Sequence, residues 1–281
     1  MKLLILGAGG MAGHVAAIRL AELGYDITGF AREKLTFCET IVGDAMIVDL
    51  SRIVKEFDAV INCIGILNNA VDAEPHKGIW LNSYLPHLLA VHAKRVIHIS
   101  TDCVFSGYDG GGYNEDSFRS ADTLYGRSKA LGELNDDRNL TIRTSIVGPD
   151  INENGVGLFN WFMKQNGEIS GYTHAIWGGV TTIVLAMAIH AALEQRTTGL
   201  YHLTNGKGIN KFELLKLFNN LRREYVTILP SDKINEDKSL VSVRCGFDFK
   251  VPPYADMICD MGAWIQSNKG LYTQYEMKEK G

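Results

Sequence analysis

The first thirteen residues restrict the fold more than any other stretch of the chain. Lys2–Leu6 (KLLIL) is a short apolar run without polar alternation, the pattern of a parallel strand buried on both faces. It leads straight into Gly7-Ala8-Gly9-Gly10-Met11-Ala12-Gly13, then into a helical stretch with apolar residues at Val15, Ala16, Ile18, Leu20 and Leu23. Strand, glycine-rich turn and helix in that order turn a glycine motif into a nucleotide-binding hypothesis. Gly7 permits the tight turn, Gly10 lets the backbone approach a pyrophosphate, and Gly13 lets the helix pack close to the strand. The helix start also offers unpaired N–H groups and the positive end of its dipole. A purely structural glycine turn is the duller alternative.

Downstream the pattern alternates. Residues 26–30 (DITGF), 45–48, 59–63 (AVINC), 95–99 (RVIHI) and 140–144 (LTIRT) read as strands, with helices expected over 51–57, 79–93 and 124–134. Such alternation implies an α/β protein: a Rossmann-type, doubly wound parallel sheet with a small C-terminal substrate-binding lobe. Residues 1–145 form the expected dinucleotide-binding domain, its sheet completed by 183–204. Residues 146–182 and 205–281 form the lobe. In such sheets ligands bind beyond the carboxyl ends of the strands. Gly110-Gly111-Gly112, inside the loop 106–120, is either a mobile lid or a plain surface loop.

Tyr125 and Lys129 are spaced i, i+4, which places them on one helix face about a turn apart. A phenol titrates near pH ~10, so a proton relay near neutrality needs its pKa lowered by roughly 2–3, about 3–4 kcal/mol. An ammonium one turn away, with the positive ring of a bound nicotinamide, would supply that. Thr101 adds a second hydroxyl for a substrate oxygen. Arg32 follows the second expected strand, where an acidic residue would bond the adenosine ribose of NAD; its guanidinium would instead grip a 2′-phosphate. A solvated arginine is the alternative there.

The whole-chain numbers suit a soluble enzyme. The 281 residues carry 46% hydrophobic and 21% charged side chains and a net charge of −4, which gives no electrostatic reason to expect nucleic acid or an anionic membrane. No apolar stretch approaches the ~18 residues of a membrane span. The first core strand follows Met1 almost at once, leaving no room for a signal or transit peptide. Five scattered cysteines without a C-x-x-C pair point to reduced thiols in a cytoplasm. No His, Asp or Glu cluster has ligand spacing, so no metal is expected.

The motifs together resemble the extended short-chain dehydrogenase/reductases, and within them the dTDP-4-dehydrorhamnose reductase-like branch of sugar-nucleotide reductases. The resemblance spans nearly the whole chain. It rests on Gly7-x-x-Gly10-x-x-Gly13, Asp49-Leu50, Ile99-Ser100-Thr101-Asp102-Cys103-Val104-Phe105-Ser106-Gly107, Tyr125-x-x-x-Lys129 with Gly132-Glu133, Arg143-Thr144-Ser145 and Gly179-Val180-Thr181-Thr182. It implies Thr101, Tyr125 and Lys129 as catalytic hydroxyl, proton donor and activating lysine, with Lys129 also on the nicotinamide ribose. Gly7, Gly10, Met11 and Ala12 would meet the pyrophosphate, Asp49 and Leu50 the adenine, and Cys63, Ile64 and Gly65 the ribose and bridging region. Asp102, Cys103, Val104, His174, Trp177 and Thr181 would line the sugar pocket.

The leading expectation is an NADPH-dependent reductase, with NADH as the alternative donor, acting on the 4-keto group of a nucleotide-activated deoxysugar for surface polysaccharide, as a monomer or homodimer. Cys103 stands where the branch carries an aromatic residue and where GDP-fucose synthases carry a cysteine base, so a bifunctional epimerase/reductase is one alternative. A 4,6-dehydratase fits less well, because Asp102 is followed by Cys103 rather than a second acid. A non-catalytic NADP-binding regulator is the third; such proteins usually lose the tyrosine or lysine kept here.

Overall fold

The computed structural model describes residues 1–278. Its strands are β1 (Lys2–Leu6), β2 (Asp26–Ala31), β3 (Glu39–Val42), β4 (Ala59–Asn62), β5 (Val96–Ser100), β6 (Leu140–Arg143), β7 (Ile146–Val147), β8 (Glu168–Trp177), β9 (Val180–Thr181), β10 (Gly199–His202), β11 (Ile209–Asn210) and β12 (Thr227–Asp237). Seven of them make one parallel sheet in the order β10-β6-β5-β4-β1-β2-β3. The α/β, Rossmann-like class expected from the sequence is the one observed.

β1 shows why the apolar run forms a central strand. Leu3 and Ile5 point into one core, with Val15, Ala16 and Leu20 of helix Met11–Glu22 and Leu185 and Ile189 of helix Thr182–Glu194. Leu4 and Leu6 point into the other, with Val54, Leu85 and Leu89. All four are fully buried, each contributing roughly 1.5–3 kcal/mol relative to exposure. From β1 the chain runs outward to β2 and β3, then returns to β4 on the other side of β1. The strand order therefore reverses between β1 and β4, and a crevice opens beyond their carboxyl ends.

Two expectations need correction. The third strand lies at Glu39–Val42 and not at 45–48. Asp44 accepts the Met46 N–H on its side chain (2.8 Å) and the Ile47 and Val48 N–H groups on its carbonyl (3.0 and 2.9 Å), so that stretch is a turn. Loop 106–120 is not a free lid. Gly107 O accepts from Asp237 N (2.8 Å), Ser239 O from Tyr113 N (3.0 Å), and the Glu115 carboxylate from His202 N, Ser242 Oγ and Val243 N. Tyr113 stacks on Phe105 with ring centroids 4.2 Å apart. Gly110, Gly111 and Gly112 all have positive φ, and a Cβ on Gly111 would strike the Asp237 carboxylate.

The later part of the chain is more regular than its composition suggests. β8 lies between β11 (antiparallel) and β12 (parallel), with a register shift between Ser231 and Asn235. β7 and β9 pair separately. Glu236 and Lys238 pack against Gly107.

Candidate functional site

The turn after β1 is built as the glycines require. Gly7 has φ +77°, and Gly10 N donates to Gly7 O at 2.9 Å. A Cβ on Gly13 would lie 2.1 Å from Gly7 O, so any side chain there would force the helix off the strand. Helix Met11–Glu22 begins at Gly10 with no side-chain cap and no acidic residue in its first turn. Its first N–H groups are thus left for an anion, which fits a dinucleotide pyrophosphate. Across the crevice Cys63 and Ile64 touch this turn, their backbone 3.2 Å from a Cβ placed on Gly7. Burial pushes the Cys63 thiol up to about 12, with Lys129 opposing, so Cys63 is an inert wall.

Buried His14 holds the turn from behind, a contact that sequence spacing did not reveal. Its Nδ1 donates to Gly10 O (2.9 Å), and its Nε2 accepts from the Tyr272 hydroxyl (2.7 Å), which itself accepts from Trp264 Nε1 (2.8 Å). Desolvation lowers the pKa of His14, more than its bond to Gly10 and the charge of Asp150 raise it. Asn152 Nδ2 adds a bond to Gly9 O (3.2 Å).

Thr101 follows β5 and caps the short turn Asp102–Val104, its hydroxyl oxygen accepting from Cys103 N (3.2 Å) while the hydroxyl donates to Asp102 Oδ1 (3.1 Å). Helix Leu124–Leu131 abuts this turn at Gly126, where a Cβ would come 2.1 Å from Cys103 O. The glycine after Tyr125 thus brings the phenol beside Thr101. Burial holds the Tyr125 phenol well above its ordinary value; Cys103 and Asp102 add to this and a hydrogen bond with Thr101 opposes it. The phenol is thus raised in the protein alone, and the lowering expected from Lys129 together with the positive ring of a bound nicotinamide belongs to the cofactor-bound state. Lys129 instead donates to Ile99 O (2.7 Å) and lies 3.3 Å from His98 Nε2. Desolvation pulls it down to about 8, against Glu133 and Cys63. A Cβ on exposed Gly65 would lie 3.9 Å from Lys129 Nζ, so the lysine faces the β1–β4 crevice.

Asn82, absent from the sequence expectations, fastens the helix to the crevice. It sits in the π-helical stretch Ile79–Tyr84, where wide turns are rare and often functional. Its Oδ1 accepts from Ile66 N and its Nδ2 donates to Ile66 O, both at 3.0 Å, and to Ser128 Oγ at 3.1 Å.

The remaining expected residues divide. Asp102 is buried, and desolvation raises its carboxyl despite Lys238, Thr101 and Lys211. Cys103 lies at the same turn, but burial and then Asp102 push its thiol up to about 12, the opposite of what a thiolate base needs. Val104 is packed with Phe105, Tyr113 and Leu240. Arg32 is exposed one residue past β2. Asp49 caps helix Leu50–Ile53 through Ser51 and pairs with Arg52, and the Leu50 side chain belongs to the core. Thr181 is buried and caps helix Thr182–Glu194, its hydroxyl oxygen accepting from Val184 N at 3.4 Å. Trp177 packs on Tyr254 in the large core, and His174 is exposed on β8.

The chain is similar to known proteins. Residues 1–237 match the RmlD substrate binding domain family. The dTDP-4-dehydrorhamnose reductase of Burkholderia thailandensis is 30% identical over 227 residues, covering 73% of each chain. The spore coat polysaccharide biosynthesis protein SpsK of Bacillus subtilis is 28% identical over 213 residues, again 73% of each. The crystal structure of a Bacillus anthracis dTDP-4-dehydrorhamnose reductase in complex with NADP superposes with a TM-score of 0.76 at 21% identity, covering 95% of this chain and 99% of that one. The match over most of the chain places it in the RmlD substrate binding domain family, as an oxidoreductase of the dTDP-4-dehydrorhamnose reductase family.

Proposed function

We propose that this protein uses NADPH to reduce the 4-keto group of a nucleotide-activated deoxysugar, as a step toward surface polysaccharide in the cytoplasm. The observation that carries the reading is the contact at Gly126, which sets Tyr125 against the Thr101 turn while Lys129 faces Gly65 in the crevice. Two hydroxyls and an amine then converge beside a dinucleotide turn. The polysaccharide assignment leans on the relatives' names.

When bound, the dihydronicotinamide supplies the hydride to the keto carbon. Thr101 and Tyr125 hold the carbonyl oxygen and stabilise the negative charge that grows on it. The high pKa of Tyr125 without ligand keeps the phenol protonated and ready to donate. The phenol gives its proton to the oxygen, and Lys129 stands one turn away to restore it. Gly7, Gly10, Met11 and Ala12 hold the pyrophosphate, and Cys63, Ile64 and Gly65 wall the far side. Exposed Arg32 favours the 2′-phosphate of NADPH, with NADH the weaker donor. Asp102 and Cys103 face the sugar. The raised thiol of Cys103 favours a plain reductase over one that also epimerises.

The test is to supply purified protein with 4-keto sugar nucleotides made in situ by dehydratases and to follow absorbance of NADPH and, separately, NADH. Oxidation dependent on one keto sugar, faster with NADPH, is the expected result. No oxidation with any of them would overturn the reading.

A further inference from the structure

His98, in the middle of β5, is wholly buried and touches the two groups that decide its protonation. Its Nδ1 lies 3.1 Å from Asn62 Nδ2, and its Nε2 lies 3.3 Å from Lys129 Nζ. Asn62, equally buried, accepts the Ile64 N–H on Oδ1 at 3.2 Å. That bond fixes which end of the amide faces the ring: the NH2 end, a donor. His98 Nδ1 must then be the bare nitrogen. The ring is neutral, because burial first, then the charges of Lys129 and His87, keep its pKa well below 6.5. The single ring proton therefore sits on Nε2, aimed at Lys129.

An ammonium has three protons and no lone pair, so it cannot accept from Nε2–H. A neutral amine can, while still donating to Ile99 O at 2.7 Å. Every member of this chain of donors and acceptors is satisfied in only one protonation state of the lysine. We infer that His98 is a positioning residue for proton supply: locked by Asn62 with Nε2–H toward Lys129, it favours the lysine that has just handed its proton to Tyr125. The inference rests on the proposed role of Tyr125 as proton donor.

The protons balance without a further reactant. The Tyr125 O–H bond breaks as the substrate oxygen gains its proton. A Lys129 N–H bond then breaks as the phenolate regains one, and the freed lone pair accepts the hydrogen bond from Nε2–H until a solvent proton restores the ammonium. The groups around Lys129 are Cys63 just past β4, His98 on β5, Tyr125 one turn earlier on its own helix, and Glu133 two residues past that helix. Burial lowers the lysine to about 8, and Cys63 and Glu133 oppose that.

The experiment is an NMR titration of the lysine side-chain signals of the cofactor-free protein, with Lys129 assigned by its loss in Lys129→Met. Wild type is expected to titrate near pH 8. In His98→Gln an amide can turn its oxygen to the ammonium, and in Asn62→Leu the ring is free to move its proton to Nδ1. Either change should raise the Lys129 midpoint above that of wild type, while the burial that both variants keep still holds it below the ordinary value of about 10.4. An ordinary titration in wild type overturns the inference, as does an unmoved midpoint in the variants with circular dichroism unchanged. The readout needs no turnover, so normal activity in Tyr125→Phe would remove the proposed function while leaving this result standing.

Discussion

Arg143 grips Glu133 through two parallel hydrogen bonds, Nε to Oε1 at 2.8 Å and Nη2 to Oε2 at 2.7 Å, with both side chains almost wholly out of solvent. Ser100 Oγ and Arg119 Nη1 complete the carboxylate, and Arg143 Nη1 donates to His202 Nε2 at 2.7 Å. The cluster joins the end of the helix bearing Tyr125 and Lys129 to the residue before Thr101 and to the edge strand β10. It fixes the site from below.

Glu133→Gln should therefore be costly, since it leaves the Arg143 charge buried without a counter-charge. The expected loss is about 3–5 kcal/mol in denaturant unfolding. A loss below about 1 kcal/mol would show the pair to be incidental.

Stability should also fall in mild acid. Burial, then the Arg143 charge, push His202 down to about 4, with Glu115 opposing. An unfolded histidine binds its proton near pH 6.5, so below that the unfolded chain takes up a proton the folded chain refuses. The stabilisation is complete above about 6.5 and is lost as pH falls toward 4. His98 and His14, also lowered, act with the same sign. Burial alone would raise the Glu133 carboxyl, but the bonds from Arg143, Ser100 and Arg119 outweigh it and hold it low. Glu133 then withdraws its contribution below the ordinary carboxylate pKa of about 4.3. Unfolding free energies at pH 7, 6 and 5 should fall by up to about 1.4 kcal/mol per unit from His202 alone; a flat profile contradicts the burial of neutral histidines.

The fold was legible from the amino terminus because a doubly buried strand leaves an unbroken apolar run, and β1 has one. β3 was not, since a four-residue edge strand with no fully buried side chain looks like the turn that follows it, and only Asp44 tells them apart. The proposed trio of Thr101, Tyr125 and Lys129 was legible as spacing and resemblance. Asn82, His98, His14 and Gly126 were not, because each acts through a contact between segments distant in sequence. A histidine within an apolar strand reads as packing until its two neighbours are known. Thr181 meets the same limit: a threonine that caps a helix and one that lines a pocket look alike in sequence.

Gly126→Ala should separate positioning from folding. The added Cβ collides with Cys103 O and Ala121 Cβ, prising the helix from the Thr101 turn. Turnover is expected to drop on the order of 10²-fold, with secondary structure retained by circular dichroism. Unchanged turnover would mean that the abutment at Gly126 does not set Tyr125.

The most direct measurement is kcat of Tyr125→Phe with NADPH and the 4-keto sugar nucleotide that wild type turns over, with the fold checked by thermal melting. The substitution removes one oxygen, and with it the proton that the substrate oxygen must receive. The account predicts a loss of roughly 10²–10⁴-fold in kcat at an unchanged melting temperature. Turnover close to wild type would contradict it.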